Sequence, residues 1–152
     1  LITQNIDGLH QQSGITEDQI IEIHGSAKKA ACLNCFQVNA IKTFHDAIIR
    51  DLELPECSNC NGIVKVATIS FGQPMNEQDM IKASNFSKEC DLMVVMGSSL
   101  KVMPAGKIPE IAISSSAKLI ILNREKTGYD TKADIVINDE LKNICSKLNK
   151  LF

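Results

Sequence analysis

At 152 residues the chain is long enough for one domain of ordinary size, and its 44% apolar and 22% charged residues are typical of a soluble globular protein. Net charge is −2, which argues against an electrostatic footprint for nucleic acid or an anionic membrane surface. No apolar run approaches the ~20 residues that span a bilayer, and with no Trp and little other aromatic content, stacking platforms for single-stranded nucleic acid are scarce.

Leu1 to Gln4 reads as the end of a strand, with Gln4, Asn5 and Asp7 clustered just beyond it. Natural termini are usually polar and frayed, so an apolar start without methionine is expected to lie inside a longer domain. His10, after a Gly-Leu pair, reads as a turn residue. Ile20, Ile21 and Ile23 predict a short, largely buried strand that ends in a turn at His24-Gly25. The stretch from Ala27 to Val66 differs in character. It holds two CxxC pairs, and between them NAIKTFHDAIIRD has helical spacing at Ile41, Phe44, Ala47 and Ile48. His45, beside Asp46 in that helix, reads as a surface residue.

Ile63 to Ser70 predicts a strand, FGQPMN a turn, and Glu77 to Lys88 a helix capped by Asn76. Asp91-LMVVM-Gly97 is a short apolar run that fits a strand buried on both faces of a parallel sheet. PAGKIPEIAIS reads as helical with a break near Pro109. Lys118-LIIL-Asn123 and Ala133-DIVI-Asn138 are two further strands, and a helix over 140–151 closes the chain. This order predicts an α/β fold, a partial Rossmann-like, doubly wound parallel sheet formed by 1–28 and 67–152. A small four-cysteine zinc-binding module over 29–66 is inserted into it.

Cys32-LN-Cys35 and Cys57-SN-Cys60 are separated by 21 intervening residues. A CxxC turn brings two thiolates to one side of a tight loop, and two such turns make the closed tetrahedral site of structural zinc. Four protein ligands leave no open position, so the Zn2+ is expected to be structural, one per chain. The alternative is a pair of redox CxxC turns. Cys90 and Cys145, next to apolar positions, read as ordinary buried thiols. This cysteine usage points to a reducing interior compartment, the cytoplasm, or also the nucleus in a eukaryote.

Polar residues directly after the strands of a parallel sheet usually face a ligand. Here they are Gln4, Asn5 and Asp7, then His24-Gly25, then Gly97-Ser98-Ser99, then Asn123. In their order and spacing TQNIDGLH, IEIHGS, the paired CxxC turns, ISFGQPM, VVMGSSLKVMPAG and LIILNREKTGYD resemble the successive motifs of the sirtuins, NAD-dependent protein deacylases. The resemblance implies that Gln4 orients the nicotinamide ribose while Asn5 and Asp7 line the nicotinamide pocket. It makes His24 the general base, a task that suits imidazole because an unperturbed histidine titrates at ~6.5. Ile69, Phe71 and Gly72 would pair with the backbone of an acyl-lysine peptide. Gly97, Ser98 and Ser99 would approach the dinucleotide, Asn123 and Arg124 the adenosine ribose, and Asp139 or Glu140 the adenine end.

The implied activity is transfer of an acyl group from lysine to ADP-ribose, with NAD consumed and nicotinamide released. ADP-ribosyl transfer is a related family reaction. Two departures bear on acyl and peptide preference: Gln73 stands where the family usually has an acid, and Pro74-Met75-Asn76 replaces its leucine-proline ending. The family's first half-Rossmann segment, with its Gly-Ala-Gly phosphate loop, is expected upstream of Leu1. Without that loop the chain by itself is expected to be inactive. The alternative function is a non-catalytic module that binds zinc and ADP-ribose.

Overall fold

The computed structural model describes residues 1–44 and 54–150, and the chain divides into two units, Leu1–Met80 and Ile81–Phe152. In the first unit, β1 (Ile2–Thr3) and β2 (Ile21–Glu22) pair in parallel, with Ile2 opposite Ile21 and Thr3 opposite Glu22. Parallel neighbours need a crossover, supplied here by α1 (Leu9–Gln12) and a 3-10 turn at Glu17–Gln19.

A three-stranded antiparallel sheet follows, in the order β4 (Val38–Ala40), β3 (Gly25–Cys32), β5 (Val64–Thr68). The sequence pattern places only a turn at Gly25 and does not reveal β3. GSAKKAAC has neither alternation nor β-branched residues, and pairing on both sides overrides its weak propensity. The helix expected from Asn39 starts later, because Asn39 and Ala40 belong to β4 and pair with Ala30 and Lys29. Residues 42–44 are helical; the rest of that helix, His45 included, lies outside the described residues. Phe44 is buried with Ala30, Cys32, Cys57 and Val64 in the core of this unit, and Ile41 packs against them.

Gly25 is where β3 meets β5. Its φ of +77° is left-handed, and a Cβ there would run into the carbonyl oxygen of Ala67. Only glycine satisfies both constraints.

Asn76 Oδ1 accepts the Asp79 N–H at 3.1 Å, so Asn76 caps α2 (Glu77–Glu89) as expected. The division between units falls within this helix.

In the second unit β6 (Leu92–Met96), β7 (Lys118–Leu122) and β8 (Ile135–Ile137) form a parallel sheet with β7 in the middle. α3 (Ile108–Ser114) packs on β6 and β7, and α4 (Leu141–Leu148) follows β8. A 3-10 turn at Ala105–Lys107 precedes α3, so the break comes just before Ile108 and Pro109 sits in the first helical turn. Leu119 and Ile121 are the centre of the core with Val95 and Leu100. β6 departs from the expected two-sided burial: Leu92, Val94 and Met96 are 49%, 42% and 48% exposed. Among the described residues β7 is its one neighbour, so within this unit it is an edge strand.

Asp134 staples β7 to the entry of β8. Its carboxylate accepts Lys118 Nζ at 2.8 Å and the Leu119 N–H at 2.9 Å. The Lys118 bond, then the Leu119 amide, hold the carboxyl below the usual range.

Gly25→Ala is expected to cost at least ~2 kcal/mol, from strain and the blocked approach together; a thermal melt checks this. Asp134→Asn is expected to lower Tm by roughly 2–4 °C at neutral pH. A depressed carboxyl pKa stabilises above its unfolded value and loses that contribution as pH falls through the folded value. The gap between wild type and variant therefore closes on acidification, which melts across pH 7 to 2 would show.

Candidate functional site

The loop after β1 is held by its own side chains and by two histidines. Thr3, only 6% exposed, accepts the Asn5 N–H on Oγ1 at 3.1 Å, and the same oxygen lies 3.2 Å from His10 Nε2. Asp7 Oδ1 accepts the Leu9 N–H at 3.0 Å at the entrance to α1. His24 follows β2 and places Nδ1 3.2 Å from the Gln4 carbonyl oxygen. A carbonyl only accepts, so Nδ1 carries the proton and Nε2 of the neutral ring holds a lone pair. Gln4 and His24 are thus brought together, with Asn5 and Asp7 on the same loop.

The His24 carbonyl in turn accepts the Ile69 N–H at 2.9 Å, which ties the segment after β5 to the histidine. Gln73 N–H donates to the Ser70 carbonyl at 2.9 Å, closing a four-residue turn that contains Phe71 and Gly72. Gln73 Oε1 braces it by accepting the Ser70 N–H at 3.3 Å and Lys65 Nζ at 3.4 Å. Phe71 is fully exposed. Among the described residues the Phe71 and Gly72 amides have no hydrogen-bond partner, so this turn has main-chain groups to offer a ligand.

Cys32, Cys35, Cys57 and Cys60 place their sulfurs within 4.8 Å of one another. The close approaches run between the two CxxC turns: Cys32 to Cys60 at 3.5 Å and Cys35 to Cys57 at 3.6 Å. Tetrahedral zinc with Zn–S bonds of ~2.3 Å needs sulfurs about 3.8 Å apart, so the donor set fits the ion. The turns are built alike. The Phe36 N–H donates to the Cys32 carbonyl at 3.2 Å, and the Asn61 N–H donates to the Cys57 carbonyl at 2.8 Å. Each of these donors has positive φ, 59° at Phe36 and 54° at Asn61. The Gln37 amide leads the donors that pull the Cys35 thiol down to about 6. At Cys60 the Gly62 amide acts downward, but the Cys32 and Cys35 thiols outweigh it and push the value up to about 12. A divalent cation among them would draw off all four protons.

In the second unit, Gly97 and Asn123 sit just past the carboxyl ends of neighbouring parallel strands, where Met96 is opposite Leu122. The Gly97 N–H donates to the Leu122 carbonyl at 2.9 Å and the Asn123 N–H to the Ile137 carbonyl at 3.1 Å. Gly97 has φ +63°, and a Cβ on it would press on Leu141. Ser98 Oγ accepts the Leu100 N–H at 3.2 Å, and Ser99 completes this loop. Buried Asn123 donates Nδ2 to the Glu125 carbonyl at 2.7 Å. Arg124 pairs with Glu140 at 3.2 Å and with Glu125 at 3.3 Å. Asp139 instead accepts the Glu140 N–H and Asn143 Nδ2 at the start of α4. Cys90 and Cys145 are half-buried, not buried as expected; Cys90 Sγ reaches the Ser87 carbonyl at 3.3 Å.

A family model described as the Sir2 family matches residues 1–104. The chain belongs to the Sir2 family. It is 41% identical over 141 residues to an NAD-dependent protein deacetylase of Rhodopseudomonas palustris, covering 93% of this chain and 56% of that protein. It is 43% identical over 141 residues to NAD-dependent protein deacetylase 1 of Bradyrhizobium diazoefficiens, covering 93% and 55%. The structure of Sir2Tm bound to a propionylated peptide superposes with a TM-score of 0.89 at 30% identity, over 98% of this chain and 62% of that one. A Sir2 complex with a p53 peptide and NAD+ gives 0.86 at 31% identity, over 98% and 61%. The chain thus spans a little over half the length of the curated relatives it matches. The sirtuin neighbours carry the Rossmann-like α/β fold expected from the sequence.

Two side chains at this site in the Sir2 chain, Thr3 and Lys65, are not legible in the sequence. Thr3 stands inside TQNIDGLH, but a buried hydroxyl serving as a main-chain brace leaves no periodic signal. Lys65 carries no motif; its ammonium donates to the Thr68 carbonyl at 2.6 Å as well as to Gln73.

The protein is expected to bind one zinc ion per chain, read by elemental analysis. Cys57→Ser is expected to lose that ion and to drop Tm by more than 10 °C, since structural zinc supplies folding energy directly. A chelator should reproduce the loss in the wild type.

Proposed function

We propose that the full-length protein is an NAD-dependent protein lysine deacylase that moves the acyl group to ADP-ribose and releases nicotinamide. The observation that carries this reading is the His24–Gln4 bond. It fixes the imidazole tautomer so that Nε2 is the basic nitrogen. A base is what the reaction needs after the acyl oxygen has attacked the ribose carbon and nicotinamide has left, when a ribose hydroxyl must lose its proton to take the acyl group. The names of the curated relatives support the same chemistry, as do neighbours solved with propionylated peptide and with NAD+.

In this reading Gln4, Asn5 and Asp7 hold the nicotinamide end of NAD. Ile69, Phe71 and Gly72 take the backbone and stem of the acyl-lysine substrate, with the Phe71 and Gly72 amides left to pair with its main chain, so affinity makes little demand on peptide sequence. An acylated lysine is neutral, so an apolar channel can hold it without burying a charge. Gly97, Ser98 and Ser99 approach the phosphates and ribose, while Asn123, Arg124 and Glu140 serve the adenosine end. Zinc on Cys32, Cys35, Cys57 and Cys60 is structural, and residues 29–66 form its inserted module between 1–28 and 67–152. Among the described residues no helix is long and apolar enough to cross a membrane. Six free cysteines favour a reducing compartment such as the cytoplasm.

His24→Ala is expected to lower nicotinamide release from NAD and an acetyl-lysine peptide by about 10²–10⁴-fold. Zinc content and Tm should stay near those of the wild type. A variant that keeps near-normal turnover would remove His24 from this role.

A further inference from the structure

His10 is the second imidazole on the loop that carries Gln4, Asn5 and Asp7, and the functional reading above gives it no task. It lies on α1, six residues beyond Gln4 in sequence, yet its Nε2 returns to within 3.2 Å of Thr3 Oγ1. That hydroxyl also accepts the Asn5 N–H at 3.1 Å and is almost wholly buried. One oxygen therefore links three things: the imidazole, the end of β1, and the main chain at Asn5. The next carbonyl, that of Gln4, is taken by His24. Two histidines thus fix consecutive residues at the point where the chain leaves the sheet.

We propose that His10 is a positioning residue that acts through the Thr3 hydroxyl to set the main chain at Asn5, and with it the reach of Gln4, Asn5 and Asp7 toward the nicotinamide end of NAD. The inference rests on the deacylase reading of this loop. The hydroxyl has one proton and two lone pairs. With the Asn5 amide on one lone pair, it can either donate to Nε2 or accept from it, so the brace closes in either histidine tautomer. Without the imidazole the buried hydroxyl rotates freely, and the Asn5 amide loses a fixed acceptor. A small shift of a positioning loop is costly for a reaction that depends on the orientation of a leaving group.

The test uses the full-length protein. His10→Ala and Thr3→Val are each expected to lower kcat for nicotinamide release by about tenfold or more. Because they break one chain of contacts, the double variant should be no slower than the worse single one. Binding of ADP, which lacks both the nicotinamide and its ribose, should be unchanged, and so should zinc content. His10→Gln, which places an amide nitrogen near the position of Nε2, should recover most of the rate; His10→Asn, whose amide is too short to reach Thr3, should not. Equal rates for the Gln and Asn variants, additive losses in the double variant, or weakened ADP binding would overturn the proposal. Failure of the wild type to release nicotinamide with any acyl-lysine peptide would instead overturn the deacylase reading beneath it.

Discussion

The first unit depends on how closely two backbones can approach at Gly25. There β3 and β5 come together over the Ala67 carbonyl, in a space that admits no side chain. On one side of Gly25 stands His24, with its ring on the Gln4 carbonyl and its own carbonyl on the Ile69 amide. On the other side β3 continues to Cys32, the first cysteine of the cluster, with a shift in its register against β5 between Gly25 and Ala30. One stretch of main chain therefore joins the loop after β1, the turn that bears Phe71 and Gly72, and the four thiols. A metal bound to those thiols would steady the far end of β3, and through it the register that places His24. In this way a metal with no open coordination position would still bear on where His24 stands.

The second unit uses a different device. Its polar residues are held by the ends of parallel strands, which point their last amides and carbonyls in one direction. Gly97 and Asn123 occupy neighbouring strand ends, and each is fixed by a main-chain bond to the next strand. Their side chains, or the absence of one, are left for a ligand or for local turns. The carboxyl edge of a parallel sheet is where α/β proteins take nucleotides. Asp134 secures the opposite end of β7 with two bonds from one carboxylate. Rigidity is thus built at one edge and polar groups are presented at the other.

Much of this was legible in the sequence, for reasons that differ from place to place. The strands at Leu92 and Lys118 are legible because buried parallel strands need continuous apolar runs, and the CxxC spacing is legible as a cluster of four thiols because two such turns converge on one point. The Asn76 cap was readable because capping is local. The strand β3 was not, since GSAKKAAC is held by its neighbours rather than by its own propensity. The exposure of Leu92, Val94 and Met96 was hidden for a related reason: an apolar run says that a strand can be covered on two faces, not which faces are covered. His10 looked like a turn residue because its partner, Thr3, is seven residues away across a loop whose geometry no periodicity encodes.

If the acyl group ends on ADP-ribose, the small-molecule products reveal it most directly. The measurement is a mass spectrum of the small molecules formed by the full-length protein from an acetyl-lysine peptide and NAD. Acyl transfer to ADP-ribose gives acetylated ADP-ribose in equal amount with nicotinamide and deacetylated peptide. Free acetate beside intact NAD would mean simple hydrolysis of the amide and would contradict it.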